Sequence, residues 1–301
     1  MAINNSIALA QAYLPLIDEV YKRESLTSRF DYTSERVRFI GADTVQVYKA
    51  TMDGLANYGR NTGFVQGSVN GAWEAMKLKE DRGVSLSVDV MDNDETLGMA
   101  FGTLLSQFLR TQVVPELDAY RFAQMASFTG IGKATDADIT IGTTDVAEML
   151  DTAEQTMGDA EVPLDGRVCF MSEKCYAALK ENIARYLGNE GTVSRDVTTY
   201  NGMPIIRVPK NRFNTAITLN DGTTSFGYTI PKTTSKPINF LIVHPSSIVQ
   251  IVKHVVPRIF SPEVNQTMDA WKLDYRVYHD IFQYENKQAG IYLSAAATAN
   301  S

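Results

Sequence analysis

The chain has 301 residues, 28 Lys and Arg against 35 Asp and Glu for a net charge of −7, and a hydrophobic fraction of 44%. That composition belongs to a folded globular protein, excludes disordered and collagen-like chains, and argues against one that neutralises phosphate with a basic stripe. No run approaches the roughly 18 apolar residues of a membrane span, the start MAINNSIALAQAYLPLIDEV lacks signal-peptide features, and Cys169 and Cys175 are too few for a disulfide framework, so a cytoplasmic chain with reduced core thiols and no membrane partner is expected.

Residues 6–24, SIALAQAYLPLIDEVYKRE, place Leu9, Tyr13, Leu16, Ile17 and Val20 near one helical face, interrupted by Pro15. They suit a short amphipathic arm, or equally a first helix docked on its own core. Apolar alternation follows at Val37, Phe39, Val45 and Val47, and strands return over 72–90, where Val84, Leu86, Val88 and Val90 alternate with Ser85, Ser87 and Asp89. Between these strands lies DGLANYGRNTGFVQGSVNG, which holds five of the chain's 20 glycines. Glycine at this density costs conformational entropy, and structureless loops beyond about 12–15 residues are uncommon in compact domains unless functional. A pair of strands with a flexible tip, anchored by Tyr58, Phe64 and Trp73, suits a projection laid over a neighbouring molecule; the alternative is a mobile surface loop.

Asp92 with Glu95 three positions on forms a capping box. Leu97, Phe101, Leu104, Leu105 and Phe108 then repeat at three and four, continuing through Val113, Leu117, Phe122 and Met125 to a stop at Gly130. Residues 94–128 as one helix would measure about 50 Å, and Pro115 is expected to bend or divide it. From about 139 the texture is α/β. Asp145 with Glu148 caps a helix to about Met157, RVCFM (167–171) is a buried strand, and Ser172 caps a helix through Leu187. In YNGMPIIRVPKNRF (200–213), Asn201 and Gly202 make a turn before a strand and a proline-broken loop. INFLIVHPSSIVQIVKHVV (238–256) precedes AWKLDYRVYHDIFQYE (270–285), which puts Leu273, Tyr275, Val277 and Ile281 on one face of a strand of about 45 Å, long enough to pack along the helix. The small-residue tail AAATANS is expected to fray.

Catalytic constellations are wanting. GIGK (130–133) resembles a phosphate loop, but Ser127 stands where its first glycine belongs, Ala134 replaces the magnesium ligand, and a helix precedes it. His244, His254 and His279 are too widely spaced for a helical metal motif, and His244 and His254 read as structural. Asp136 with Asp138, and Asp92 with Asp94, read as turn and cap residues. No cofactor, metal or catalytic residue is assigned.

The order of parts resembles the major capsid protein of tailed bacteriophages, of the Hong Kong 97 type: AYLPLIDEVYKRES, the hairpin and spine over 36–128, and YNGMPIIRVPKNRF followed by NFLIVHPSSIVQIVKHVVPRIFSPE. The resemblance implies an α+β fold divided into an N-terminal arm (1–34), an extended hairpin loop (35–82), a peripheral domain with the spine helix (83–138), an axial α/β domain (139–255), and peripheral C-terminal strands with the tail (256–301). It implies self-assembly through hexamers and pentamers into an icosahedral shell, built in the bacterial cytoplasm and ending in the virion, that encloses double-stranded DNA without reading its sequence. A portal is implied, and a separate scaffolding protein is expected because no long helical N-terminal segment is seen. Candidate contacts between subunits are Leu9, Tyr13, Tyr58, Arg60, Phe64, Trp73, Arg258 and Phe260. The alternative within this fold is an encapsulin, a bacterial compartment holding enzyme cargo. An α/β enzyme with a glycine-rich lid is more remote, and requires a pocket lined by convergent ionisable groups.

Overall fold

The computed structural model describes residues 24–31, 37–40, 44–61, 63–91, 106–187 and 196–300. The arm residues Leu9 and Tyr13 and the capping box at Asp92 lie outside them. The order of elements is β1 (Val37–Ile40), β2 (Thr44–Met52), β3 (Val69–Lys77), β4 (Glu80–Asp89), α1 (Val114–Ser127), β5 (Gly132–Lys133), α2 (Val146–Asp159), β6 (Val168–Ser172), α3 (Glu173–Leu187), β7 (Thr199–Tyr200), β8 (Met203–Val208), β9 (Thr218–Leu219), β10 (Tyr228–Thr229), β11 (Ile238–Val243), β12 (Ile248–Phe260), β13 (Ala270–Gln283) and β14 (Ile291–Ala295).

A six-stranded sheet ordered β5-β14-β11-β6-β8-β7 forms the centre of the α/β part. β11 is buried along its whole length, as a strand covered on both faces must be. Its alternate residues divide between two cores. Phe240 and Ile242, with Cys169 and Met171, pack under α2 and α3, whereas Leu241 and Val243, with Val168 and Phe170, pack under α1. Asp145 caps α2 by accepting from the N–H groups of Ala147 and Glu148, and Ser172 Oγ accepts from Cys175 N at 3.3 Å at the start of α3. The β7–β8 hairpin turns on Asn201 and Gly202 at φ 47° and 81°, the left-handed pair a two-residue hairpin requires. Both thiols are buried, and burial pushes that of Cys175 up to about 12.

The second sheet is β12-β13-β4. β13 runs for 14 residues, with Leu273, Tyr275, Val277 and Ile281 buried. Along it lies the helix: Leu109, Val113 and Leu117 pack on Leu273, Tyr275 and Val277, and the Phe108 ring meets Tyr275 edge-on at 5.9 Å. Pro115 does not divide this helix. Residues 106–108 are α-helical, Leu109–Val113 make a π turn, and α1 continues from Val114. The wider turn sits just upstream of the proline, whose ring and missing N–H disturb the hydrogen bonds of the preceding turn. Pro257 is accommodated because β12 is an edge strand. The C-terminal half of α1 then passes to the other core, where Phe122 meets the rings of Phe170 and Phe213 edge-on at 5.0 Å each. One helix thus joins both sheets.

Two expectations about the C-terminus are overturned. β14 pairs between β5 and β11, inside the six-stranded sheet and not with the long strands. The tail is tied down: Ala296 N donates to Pro237 O at 2.8 Å, Asn300 N to Ser235 O at 3.0 Å, and the Asn300 amide to Asn214 Oδ1 at 2.9 Å. Small residues are needed there because Ala295 and Ala296 are buried.

Residues 24–31 are also part of the body. Asp118 of α1, with no exposed surface, accepts from Ser25 Oγ (2.8 Å), Leu26 N (3.1 Å) and Thr27 Oγ1 (2.6 Å). One turn on, buried Arg121 donates to Thr27 Oγ1 at 2.9 Å and pairs with Asp31 at 3.0 Å, while Gln250 of β12 donates to Thr27 O and Asp31. Phe30 then closes over Phe170 at 5.8 Å.

Candidate assembly surface

β2 and β3 pair in register from Thr44↔Lys77 to Met52↔Val69, so the hairpin extends nine residues, about 30 Å, before its tip. Its root is buried: Val45, Val47, Met76 and Leu78 form one cluster with Val249 and Ile251 of β12. Toward the tip burial stops. Leu55 is 107% exposed, Phe64 90%, and Met52, Val65 and Val69 between 65% and 72%. Apolar groups displayed in such density mark a surface suited to being covered.

The tip nevertheless has an internal order that its glycine content conceals. Gly59 and Gly63 exchange backbone hydrogen bonds at 3.2 and 2.8 Å, with Gly63 at φ 77°. This brings the Tyr58 and Phe64 rings to 4.8 Å, and the Asp53 carboxylate accepts from Ser68 N and Oγ at 2.7 and 2.8 Å below them. Lower down, Trp73 meets Tyr48 edge-on at 5.3 Å, and Gly71 lies beneath the Tyr48 ring, where a Cβ has no room.

The predicted contact residues therefore separate into groups. Tyr58, Arg60 and Phe64 come together on the tip, and Trp73 lies halfway down the hairpin. Arg258 and Phe260 lie elsewhere, at the end of β12, where Phe260 is half-buried beneath the Lys272 ammonium, 5.7 Å from its ring. Leu55, Val65 and Phe226, all strongly exposed, were not anticipated. The signal for the first two was present, since apolar residues within a glycine-rich polar run have no core to join.

The hinge between hairpin and body is fixed by buried groups. Asp280 of β13 accepts from Lys79 N at 3.1 Å, from Ile281 N at 2.8 Å and from Tyr120 OH at 2.9 Å, while Tyr278 OH donates to Leu78 O at 3.0 Å. Neighbouring His279 is 1% exposed against the Tyr120 ring. Burial, reinforced by the Arg121 and Arg82 charges, holds its imidazole down at about 3. The folded state thus stays unprotonated where the unfolded chain takes up a proton, so this contribution is complete above about 6.5 and is lost as pH falls toward about 3. Glu80 and Asp280 act oppositely: burial raises both carboxyls, so their contribution is present in acid and lost as pH rises through the raised values. His279→Phe, measured by urea unfolding at several pH values between 7 and 4, is expected to flatten the acid loss of stability relative to the parent; an unchanged slope rejects this assignment.

A groove of about 620 Å³ runs between β4, the helix at 108–117 and the 220–227 loop. Its floor is the outer side of the helix–sheet core, from Val84, Leu86, Phe108 and Tyr275, with Phe226 at the lip. Arg82 crosses one end, pairing with Glu116 at 2.6 Å and donating to Asn220 O and Gly227 O at 2.5 and 3.2 Å. These ionisable groups hold the loop against the helix and do not converge on open space. Asp221, exposed on the rim, accepts from Thr223 N and Oγ1, and these hydrogen bonds hold its carboxyl below the usual range. Among the described residues, no group of three or more His, Cys, Asp and Glu could hold a metal ion, and no helix is long and apolar enough to cross a membrane.

Compared with solved structures, the chain has the fold of capsid shells. It matches the capsid of Cyanophage P-SCSP1u at a TM-score of 0.59 and 13% identity, covering 89% of this chain and 91% of that one. Against Gordonia phage Cozz the TM-score is 0.60 at 14% identity, over 91% and 87% of the two chains. The virus-like particle from Pyrococcus furiosus is matched at 0.54 and 11% identity, over 95% and 99%. No protein-family model and no curated protein sequence matches. What is shared at these identities is the fold, and it is the α+β, Hong Kong 97-type arrangement that the order of parts implied.

Proposed function

We propose that this chain is a major capsid protein whose copies assemble into an icosahedral shell around double-stranded DNA. The observation that carries the reading is the hairpin: its root is locked into the body, while Leu55, Phe64, Val65 and Val69 toward its tip stand strongly exposed among the described residues. In a solitary protein that surface is a liability, whereas in a closed assembly every tip is covered by a neighbour. The role is structural and not catalytic. Packaged DNA needs a lining to which it does not adhere, and a net charge of −7 suits that. Hexamers and pentamers of this chain, a portal at one vertex and a separate scaffolding protein complete the reading, with assembly in the bacterial cytoplasm and residence in the virion.

The likeness to the Pyrococcus furiosus particle, which extends over 99% of that chain, supports a second reading, an encapsulin-type compartment. Electron microscopy and nucleic-acid content of the purified particles separate the two. The capsid reading expects closed shells, with nuclease-protected double-stranded DNA when the complete phage assembles; small uniform shells loaded with an enzyme support the compartment. A protein that stays monomeric under all assembly conditions rejects both.

A further inference from the structure

Successive side chains of β12 hold two different parts of the chain, because neighbours along a strand point to opposite faces. Gln250, fully buried, donates to Thr27 O at 2.9 Å and to Asp31 at 2.6 Å, and Asp31 forms a parallel backbone bridge with it. Val249 and Ile251, on either side of it, belong instead to the cluster with Val45, Val47, Met76 and Leu78 at the hairpin root. The helix repeats the arrangement. Asp118 and Arg121 of α1 hold Ser25, Thr27 and Asp31, while Tyr120 between them reaches Asp280, which also accepts from Lys79 N at the foot of the hairpin. The chain adds a third link. Asp31 precedes Val37, the first residue of β1, by six positions, a reach of at most about 20 Å. β1 in turn pairs with the hairpin strand β2 from Val37↔Val47 to Ile40↔Thr44.

We infer that residues 24–31 are a strap that latches the hairpin: docking of the strap and seating of the hairpin root form one cooperative unit, so that release of either releases the other. Shared support is the physical reason. Withdrawal of the strap takes Thr27 and Asp31 away from buried Gln250 and Arg121, and polar groups stranded in this way are costly unless the surrounding structure opens to water. The elements that would have to give way are β12 and α1, and these carry Val249, Ile251 and Tyr120. In the other direction, lifting the hairpin root from β12 draws β1 with it and pulls on Asp31 through a short connection. The strap follows directly on the N-terminal run, so tension on that run reaches the projection, and the run governs how firmly the hairpin is held. The coupling belongs to the single subunit and stands or falls independently of the shell reading.

Hydrogen exchange of the unassembled full-length chain, read by mass spectrometry, tests this. Thr27→Val removes the hydroxyl shared by Asp118 and Arg121 and is expected to speed exchange of the root amides at 45–49 and 74–78 about tenfold or more. Amides of β6 and β8 in the central sheet stay within about twofold of the parent. Because coupling between two sites is reciprocal, Val47→Ala at the hairpin root is expected to speed exchange at 26–31 by a comparable factor. Faster exchange at 26–31 in Thr27→Val, with the hairpin root within about twofold of the parent, overturns the latch. Should Thr27→Val also speed exchange in β6 and β8, Ser25→Ala, which removes one hydroxyl from Asp118, takes its place. Uniform acceleration from that variant too overturns a local unit, whereas acceleration confined to the strap and the root supports it. Either result leaves the assembly of particles a separate question, answered by microscopy.

Discussion

Removal of residues 55–70 is expected to give a folded, soluble subunit that forms no closed particles. The segment contributes nothing to the cluster at the hairpin root, where Val45, Val47, Met76 and Leu78 stay packed on Val249 and Ile251. Stability should therefore change by no more than about 0.5 kcal/mol, the usual range for surface changes away from buried features. Solubility improves, because Leu55, Phe64, Val65 and Val69 leave the surface. Sedimentation velocity should show one slow species where the parent shows particles, with circular dichroism and urea midpoint preserved. Normal particles from this chain refute the assigned role of the hairpin.

Asp118→Ala is the substitution with the largest expected cost to the subunit itself. The carboxylate is fully buried and accepts from two hydroxyls and two backbone N–H groups of Ser25–Thr27, besides pairing with Arg212 at 3.4 Å. Truncation leaves those donors unsatisfied beside the buried guanidinium of Arg121, a loss of about 3–5 kcal/mol. Against a typical total of about 5–15 kcal/mol, that is a large fraction. Denaturant unfolding should show the lowered midpoint. Limited trypsin digestion should show cleavage at Arg29 in the variant and not in the parent, since residues 24–31 lose their anchor. A midpoint within about 1 kcal/mol of the parent contradicts the claim that this cluster fastens the segment.

The elements that could be read from the sequence are those specified by neighbouring residues. Asp145 announced α2 because a cap acts within one turn, Asn201-Gly202 announced its hairpin because the backbone angles demand those residues, and the period-two runs in β4 and β13 declared themselves. Pairings set by distant partners could not be read. Ser25 and Thr27 lie more than 90 positions from Asp118, and nothing in the N-terminal run marks them as residues that bind the body. β14 is five residues of mixed size whose place is decided by β5 and β11, so its small tail residues looked like a loose end. Of the two outcomes expected at Pro115, a bend or a division, division does not occur, because a π turn upstream absorbs the lost hydrogen bond. At the candidate assembly surface the glycines located the projection, whereas the groove could not be foreseen, because it joins strand, helix and loop from three separate stretches.

The position of β14 has a consequence for biosynthesis. Of the six strands in the central sheet it leaves the ribosome last, yet it occupies an inner place between β5 and β11. The sheet cannot close until translation has passed residue 295. A chain terminated before that point has a gap in its core with β11 as an open edge, and is a substrate for proteolysis. Folding order thereby makes the final strand a condition for a complete core.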